Sequence, residues 1–281
     1  MSEFNLDLFI ELALAEDVGD GDHSSLACVP NNVSGKAQML IKEDGILAGV
    51  GIGVSIFKKV DTKLLVTVLL SDGTSVKPGD IAMTVEGSQQ SILKAERLVL
   101  NVMQRMSGIA TYTNKIVQLI DGTKTKVLDT RKTTPLLRTL EKQAVKIGGG
   151  ENHRFGLYDM IMLKDNHIDY AGGIKAAVTK TKEYLNSTGR DLKIEVEARD
   201  LNEVKEILAI GGVDRIMLDN FNYSDTKTAV EIIGSTCETE SSGGITIDTI
   251  RAYAECGVDY ISIGALTHSI KSLDISLKAT D

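Results

Sequence analysis

Two hydrophobic patterns divide the chain. In the first part, up to about residue 120, apolar positions recur at helical spacing or alternate as in half-buried strands. After residue 127 they form short, near-continuous runs. Leu6, Phe9, Ile10, Ala13 and Leu14 predict an amphipathic helix over 6–15. Ala37–Lys42 predicts a strand closed by the turn Glu43-Asp44-Gly45. Gly49–Val60 predicts a glycine-rich helix. No glycine stands at 56 after Gly51 and Gly53, so a dinucleotide fingerprint is excluded. Leu64–Leu70 and Ile81–Glu86 predict strands around SDGTSVKPGD, a structural hairpin with no lysine at a modification tip. Ile92, Ala95, Val99, Val102, Met103 and Met106 give the buried stripe of a helix over 91–107, with Arg97, Asn101, Gln104 and Arg105 on its polar side. Gly108 predicts a break or bend, with a second helix running to about Ile120.

From residue 127 the predicted strands are 126–129, 160–164, 193–197, 215–219, 237–240 and 260–264, separated by helix-like segments. Apolar strands alternating with helices predict a parallel sheet with helices on its outer face. The steps Glu197–Asp219, Asp219–Ser242 and Ser242–Gly264 are 22, 23 and 22 residues, a regularity that suits strand-loop-helix units of a barrel. A doubly wound open sheet is the alternative.

Charge changes this picture in one place. The chain carries a formal net charge of -8 and no Trp, which argues against a nucleic-acid partner. Yet between Arg131 and Arg154 stand six basic residues (Arg131, Lys132, Arg138, Lys142, Lys146, Arg154) and two acidic ones. Such an island suits a small polyanion. Lys142 and Lys146 read as a solvated helix face; Arg131, Lys132, Arg154 and Lys164 fall at element ends. Asp17, Asp20 and Asp22 miss the spacing of a calcium loop and predict a turn that caps the next element. The three cysteines, widely spaced and without zinc-site partners, are expected as thiols. The acidic N-terminus and the lack of a long apolar run give the expectation of a cytoplasmic protein.

Polar groups close the successive predicted strands: Asp129-Thr130-Arg131-Lys132, Lys164-Asp165-Asn166-His167, Glu195 and Glu197, Asp219-Asn220, Glu240 to Gly244, and Gly264-Ala265. In a barrel these ends share one face, the face that carries active sites. Arg131, Lys132, Arg154 and Lys164, with His153, suit an acidic ligand. Ser242-Gly243-Gly244 and Gly264-Ala265 offer backbone N–H groups to a phosphate. Glu197 and Asp219 suit Mg²⁺ or a developing sugar cation. A structural ion pair is the competing role, and fits Glu195 best. Lys132 and Lys164 also leave a Schiff-base aldolase open.

The run Asp129-Thr130-Arg131-Lys132-Thr133-Thr134-Pro135, then Gly148-Gly149-Gly150 with His153-Arg154, then Lys164-Asp165-Asn166-His167, resembles the quinolinate phosphoribosyltransferases. Supporting matches span nearly the whole chain: Glu16-Asp17, Glu96-Arg97, Ser107 to Thr111, Ile194 to Glu197, Leu218 to Asn220 and Ser242 to Ile245. The resemblance implies an α/β fold: an incomplete (open) α/β barrel over 111–267, with an N-terminal mixed α/β sandwich domain over 1–110 that residues 268–281 rejoin. It implies decarboxylating transfer of phosphoribose from phosphoribosyl pyrophosphate to quinolinate, with Mg²⁺ as cofactor. Lys132, Glu197 and Asp219 become the catalytic residues, and Glu197 and Asp219 the metal ligands. Substrate would be bound by Arg97, Thr130, Arg131, Lys132, His153, Arg154, Lys164, Glu197, Asp219, Ser242, Gly243, Gly244, Gly264 and Ala265. Arg97 would enter the neighbouring subunit's site in a homodimer. A relative acting on another nitrogenous acid is the same-fold alternative, and a non-catalytic ligand-binding dimer the different-class one.

Overall fold

The computed structural model describes residues 4–280. The chain runs α1 (Leu6–Val18), α2 (His23–Cys28), β1 (Ser34–Ile41), β2 (Gly45–Ile46), α3 (Val50–Val60), β3 (Leu65–Val68), β4 (Ser75–Val76), β5 (Ile81–Ser88) and α4 (Gln89–Leu119). It continues β6 (Lys126–Leu128), α5 (Arg138–Ile147), β7 (Ile161–Leu163), α6 (Asp165–Ala171), α7 (Ile174–Thr188), β8 (Ile194–Ala198) and α8 (Leu201–Ile210). It ends β9 (Arg215–Asp219), α9 (Tyr223–Ile233), β10 (Glu238–Ser242), α10 (Ile250–Glu255), β11 (Tyr260–Ser262), α11 (Ala265–His268) and β12 (Ile275–Thr280). Two compact units result: Met1–Asn114 with Pro135–Gly149 and Ser269–Asp281, and Lys115–Thr134 with Gly150–His268.

The first unit is built on an antiparallel sheet ordered β12-β1-β5-β3. The C-terminal tail enters it because β12 pairs along β1, from Lys36 opposite Thr280 to Ile41 opposite Ile275. Alternate residues of β1, Ala37, Met39 and Ile41, are buried, as a strand with one covered face requires. Asp22 caps α2 by accepting the Ser25 N–H at 3.1 Å, the capping role expected of that acidic turn.

Two expectations fail in this unit. The helix does not break at Gly108: α4 continues from Gln89 to Leu119. A side chain at 108 would collide with the Lys271 carbonyl oxygen, so the glycine there serves close approach of the tail. Lys142 is not solvated either; it is 2% exposed, whereas Lys146 is exposed. On α5, Glu141 and Lys142 adjoin the apolar residues Leu140, Ala144 and Val145, so the buried face extends over both charges. Glu141 is met by Arg105, whose Nε lies 2.8 Å from Oε1.

The second unit is a six-stranded sheet ordered β6-β11-β10-β9-β8-β7, parallel throughout. The first two strands in sequence are its two edges, the arrangement of a barrel left open between β6 and β7. Residues 151–154 lie along the β6 edge: Glu151 forms an isolated parallel bridge with Leu128, and Asp129 N donates to Glu151 O at 3.2 Å. On one side of β8 and β9, Ile194, Val196, Ala198, Ile216 and Leu218 are buried. The opposite parity carries Glu195, Glu197, Arg215, Met217 and Asp219. Glu195 and Glu240 therefore do not close strands, as their sequence context had indicated. They lie within β8 and β10, both 0% exposed.

Gly108→Ala is expected to destabilise the protein by about 2 kcal/mol through overpacking against the tail. At an exposed helical site the same change would stabilise by up to about 1 kcal/mol. Denaturant unfolding of the variant reads the sign directly.

Candidate active site

The C-terminal ends of the parallel strands and residues 153–154 surround one cavity of about 750 Å³. Lining it are Thr130, Arg131, Lys132, His153, Arg154, Lys164, Glu197, Asp219, Ser242, Gly243, Gly244, Gly264 and Ala265. Every residue singled out for substrate thus reaches this wall except Arg97, which is exposed on α4 in the first unit. Strand order distributes the chemistry. Cations come from the two edges of the sheet and the segment along the opening, carboxylates from β8 and β9, and glycine loops from β10 and β11.

The cationic side is fixed by backbone contacts. Thr267 Oγ1 donates to Lys132 O at 2.9 Å, and Lys132 N donates to Thr130 Oγ1 at 3.1 Å. A Cβ at Gly264 would stand 3.0 Å from Lys132 Cδ, so that lysine lies over the glycine of the last loop. Arg154 Nη1 donates to Met160 O at 3.2 Å. His167 Nδ1 accepts the Lys164 N–H at 3.0 Å, which gives this histidine a structural role in starting α6. Burial and the nearby Arg131 charge both push the Arg154 pKa down. An anion in the cavity would relieve that strain between cations.

The carboxylate side shows the opposite imbalance. Burial, and then the charge of Asp219, raise the Glu197 pKa. Lys164 Nζ stands 3.9 Å from Glu197 Oε2, too far to neutralise it by a direct hydrogen bond. Two hard carboxylates side by side fit a Mg²⁺ ion, which takes one or two such ligands beside substrate phosphates. Asn220 completes the pair by donating its Nδ2 to Asp219 Oδ2 at 2.7 Å.

The glycine side depends on left-handed backbone. Gly243 has φ 94° and Gly244 φ 62°. Asn220 also has a positive φ, 56°, and donates its N–H to Ser242 O at 2.9 Å. Strand β10 thereby ends in a tight turn at the cavity rim, where backbone N–H groups are free of ladder partners.

Sequence reasoning passed over His268, which lines the cavity from the end of α11. Its spacing, four residues after Gly264, was the available signal. The structural pairing that suited Glu195 is present: His153, at the cavity wall, meets Glu195 and Glu240 in the sheet interior. His153 is 7% exposed, and its Nε2 lies 3.0 Å from Glu195 Oε2 and 3.4 Å from Glu240 Oε2. Burial lowers the His153 pKa and the two nearby glutamates raise it, a pull toward imidazolium that the ring's other contact opposes. Against this, the Arg154 N–H points at His153 Nδ1 from 2.7 Å. A proton on Nδ1 would face that N–H, so the ring keeps its proton on Nε2. Burial, and then the Glu240 charge, raise the Glu195 pKa to about 7. Charges two residues apart in IEVEA and ETESS, and four apart in RIMLD, were the sequence sign of this polar interior.

Comparison with known proteins agrees along the whole chain. Residues 22–107 match the family model described as the quinolinate phosphoribosyl transferase N-terminal domain, and residues 109–278 match that of the C-terminal domain. The nicotinate-nucleotide pyrophosphorylase [carboxylating] of Oryza sativa subsp. japonica is 48% identical over 98% of this chain and 78% of its own length. The probable enzyme of the same name from Bacillus subtilis is 40% identical over 100% of this chain and 95% of its own. The solved nicotinate-nucleotide pyrophosphorylase of Francisella tularensis superposes with a TM-score of 0.92 at 40% identity, covering 98% of this chain and 96% of that one.

Gly243→Ala and Gly244→Ala separate loop strain from loop chemistry. A Cβ at 243 would strike Asn220, with Cγ at 2.6 Å, whereas nothing lies within 4 Å of one at 244. Both changes should lose about 1 kcal/mol for the left-handed backbone. Only Gly243→Ala should also weaken binding of inorganic phosphate, by at least about tenfold if one charge-assisted contact is lost. Calorimetric titration of the two variants checks this.

Proposed function

The chain belongs to the quinolinate phosphoribosyltransferase family, and on that premise we propose that it joins quinolinate to phosphoribosyl pyrophosphate, forming nicotinate mononucleotide, pyrophosphate and CO₂. It is a pentosyltransferase of pyridine nucleotide biosynthesis. The observation that carries the substrate assignment is a single cavity offering separate cationic, carboxylate and glycine-loop walls.

Arg131, Lys132, Arg154 and Lys164 bind the two carboxylates of the pyridine ring and aim its nitrogen at ribose C1. The loops at Gly243-Gly244 and Gly264-Ala265 take the 5′-phosphate through backbone N–H groups. As the bond from C1 to the pyrophosphate oxygen breaks, the pyrophosphate leaves with the electron pair and positive charge grows on the sugar. Glu197 and Asp219 stabilise that charge, and Lys132 balances the departing anion. The pyridine nitrogen then closes the new bond to C1 and becomes cationic. The C2 carboxylate departs as CO₂, its bonding pair stays at C2 beside the cationic nitrogen, and a proton completes the product. Glu197 and Asp219 would hold Mg²⁺, which when bound supplies charge to the pyrophosphate oxygens.

A homodimer is part of this reading. Arg97 is exposed on α4, one turn from Leu93, which is 44% exposed; an apolar residue beside an unburied arginine suits a subunit contact. In it Arg97 serves the neighbouring subunit's quinolinate site. The aldolase reading loses ground, because Lys132 and Lys164 are both exposed, whereas a Schiff-base lysine needs desolvation. Among the described residues no helix is long and apolar enough to cross a membrane, and Cys28, Cys237 and Cys256 are free thiols. A cytoplasmic location is included in the reading.

Purified protein given quinolinate, phosphoribosyl pyrophosphate and Mg²⁺ should yield nicotinate mononucleotide. Absence of product in a folded preparation would reject the assignment. Arg97→Ala and Lys132→Ala should each lower turnover at least about hundredfold. Mixed under conditions of demonstrated subunit exchange, the two inactive proteins should regain activity; no recovery would reject the shared site.

A further inference from the structure

Arg154 is held in the cavity by a segment that belongs to no regular strand. Its backbone must therefore be fixed by other means. His153 N donates to Asp129 Oδ1 at 2.9 Å, and Asp129 is 0% exposed. Arg154 N donates to His153 Nδ1 at 2.7 Å. That second bond sets a condition on the ring: Nδ1 must carry a lone pair. A neutral imidazole bears one N–H, so the proton belongs on Nε2.

Nε2 faces two groups that can only accept in their charged form, Glu195 at 3.0 Å and Glu240 at 3.4 Å. Both are 0% exposed, and neither lines the cavity. Glu240 is anchored from behind, since Arg215 Nη1 donates to its Oε2 at 2.8 Å. Arg215 is itself held by Glu238 at 3.0 Å and lies 4.0 Å over the Tyr260 ring. Buried charges that touch no ligand carry a desolvation cost, and holding a neighbour in one form is a recognised reason to keep them.

We propose that Glu195 and Glu240 are positioning residues for Arg154: they fix the Nε2–H tautomer of His153, whose Nδ1 then pins the Arg154 backbone and sets its guanidinium in the anion cavity. His153, Glu195 and Glu240 also present three atoms close enough for a metal ion. The tautomer excludes that role, because a ligating Nε2 cannot carry the proton and a proton moved to Nδ1 would oppose the Arg154 N–H. The kinetic consequence rests on the proposed transferase reading; the tautomer does not.

The test has two arms. In protein labelled with ¹⁵N-histidine, with His153 assigned by its loss in His153→Asn, neutral imidazole with the proton on Nε2 is expected. Imidazolium, or a proton on Nδ1, would overturn the inference. So would a stoichiometric divalent ion in the purified protein that Glu195→Gln removes. In the kinetic arm, Glu195→Gln should raise KM for quinolinate about tenfold, the loss of one well-placed charge-assisted contact, with kcat and the KM of the ribosyl donor within about twofold. In an Arg154→Lys background the same change should add less than about twofold, because the contact it supports is already gone. Unchanged KM in folded Glu195→Gln, or penalties that multiply, would overturn the proposal. Glu240→Gln replaces Glu195→Gln if that variant fails to fold. A wild-type protein that forms no nicotinate mononucleotide sinks the transferase reading alone, and the tautomer arm still decides this one.

Discussion

The second unit is organised around the charge inside its sheet. Arg215 reaches half-buried Glu238 and fully buried Glu240 on the adjacent strand, and balances a Glu240 charge that has no water around it. Removing one member of such a set is far costlier than its net contribution, since the partners remain without water. The strands that carry these groups are therefore committed to one register, with Glu195 beside Arg215 and Arg215 beside Glu238.

That commitment sets the chemistry one layer up. Two residues further along the same face of each strand stand Glu197 after Glu195, Ser242 after Glu240 and, four after Arg215, Asp219. A strand repeats its face at roughly 7 Å intervals, so the paired layer and the cavity wall are separate but rigidly linked. The same residue type does different work in the two layers. Glu195 is enclosed and paired with His153, whereas Glu197 faces the cavity beside Asp219 and keeps an unbalanced charge for a ligand. The open edge between β6 and β7 adds a third element. A segment without regular strand pairing can turn there and present His153 inward and Arg154 to the cavity, which a strand residue pair would also do but without the N–H to Nδ1 contact that ties the two together.

Much of this was legible in the sequence. Apolar runs at 22- and 23-residue steps gave the parallel strands, and the polar residues after them gave nearly the whole cavity wall. Those signals are local: side-chain period identifies a strand, and the strand's polar end lies on the ligand face whatever its neighbours are. Gly108 and Glu240 were misread because their roles depend on partners distant in sequence. Gly108 is small because the tail at Lys271 passes it, and Glu240 is a buried anion because Arg215 stands on the next strand.

The sequence by itself thus determined the kinds of elements, their order and most residues that line the cavity, since periodicity and strand-end chemistry need only near neighbours. Tertiary structure alone decided which charges pair inside the sheet, which nitrogen of His153 bears its proton, and which glycine gives way to a crossing chain. Those outcomes depend on distances between segments far apart in the chain, and no local pattern encodes them.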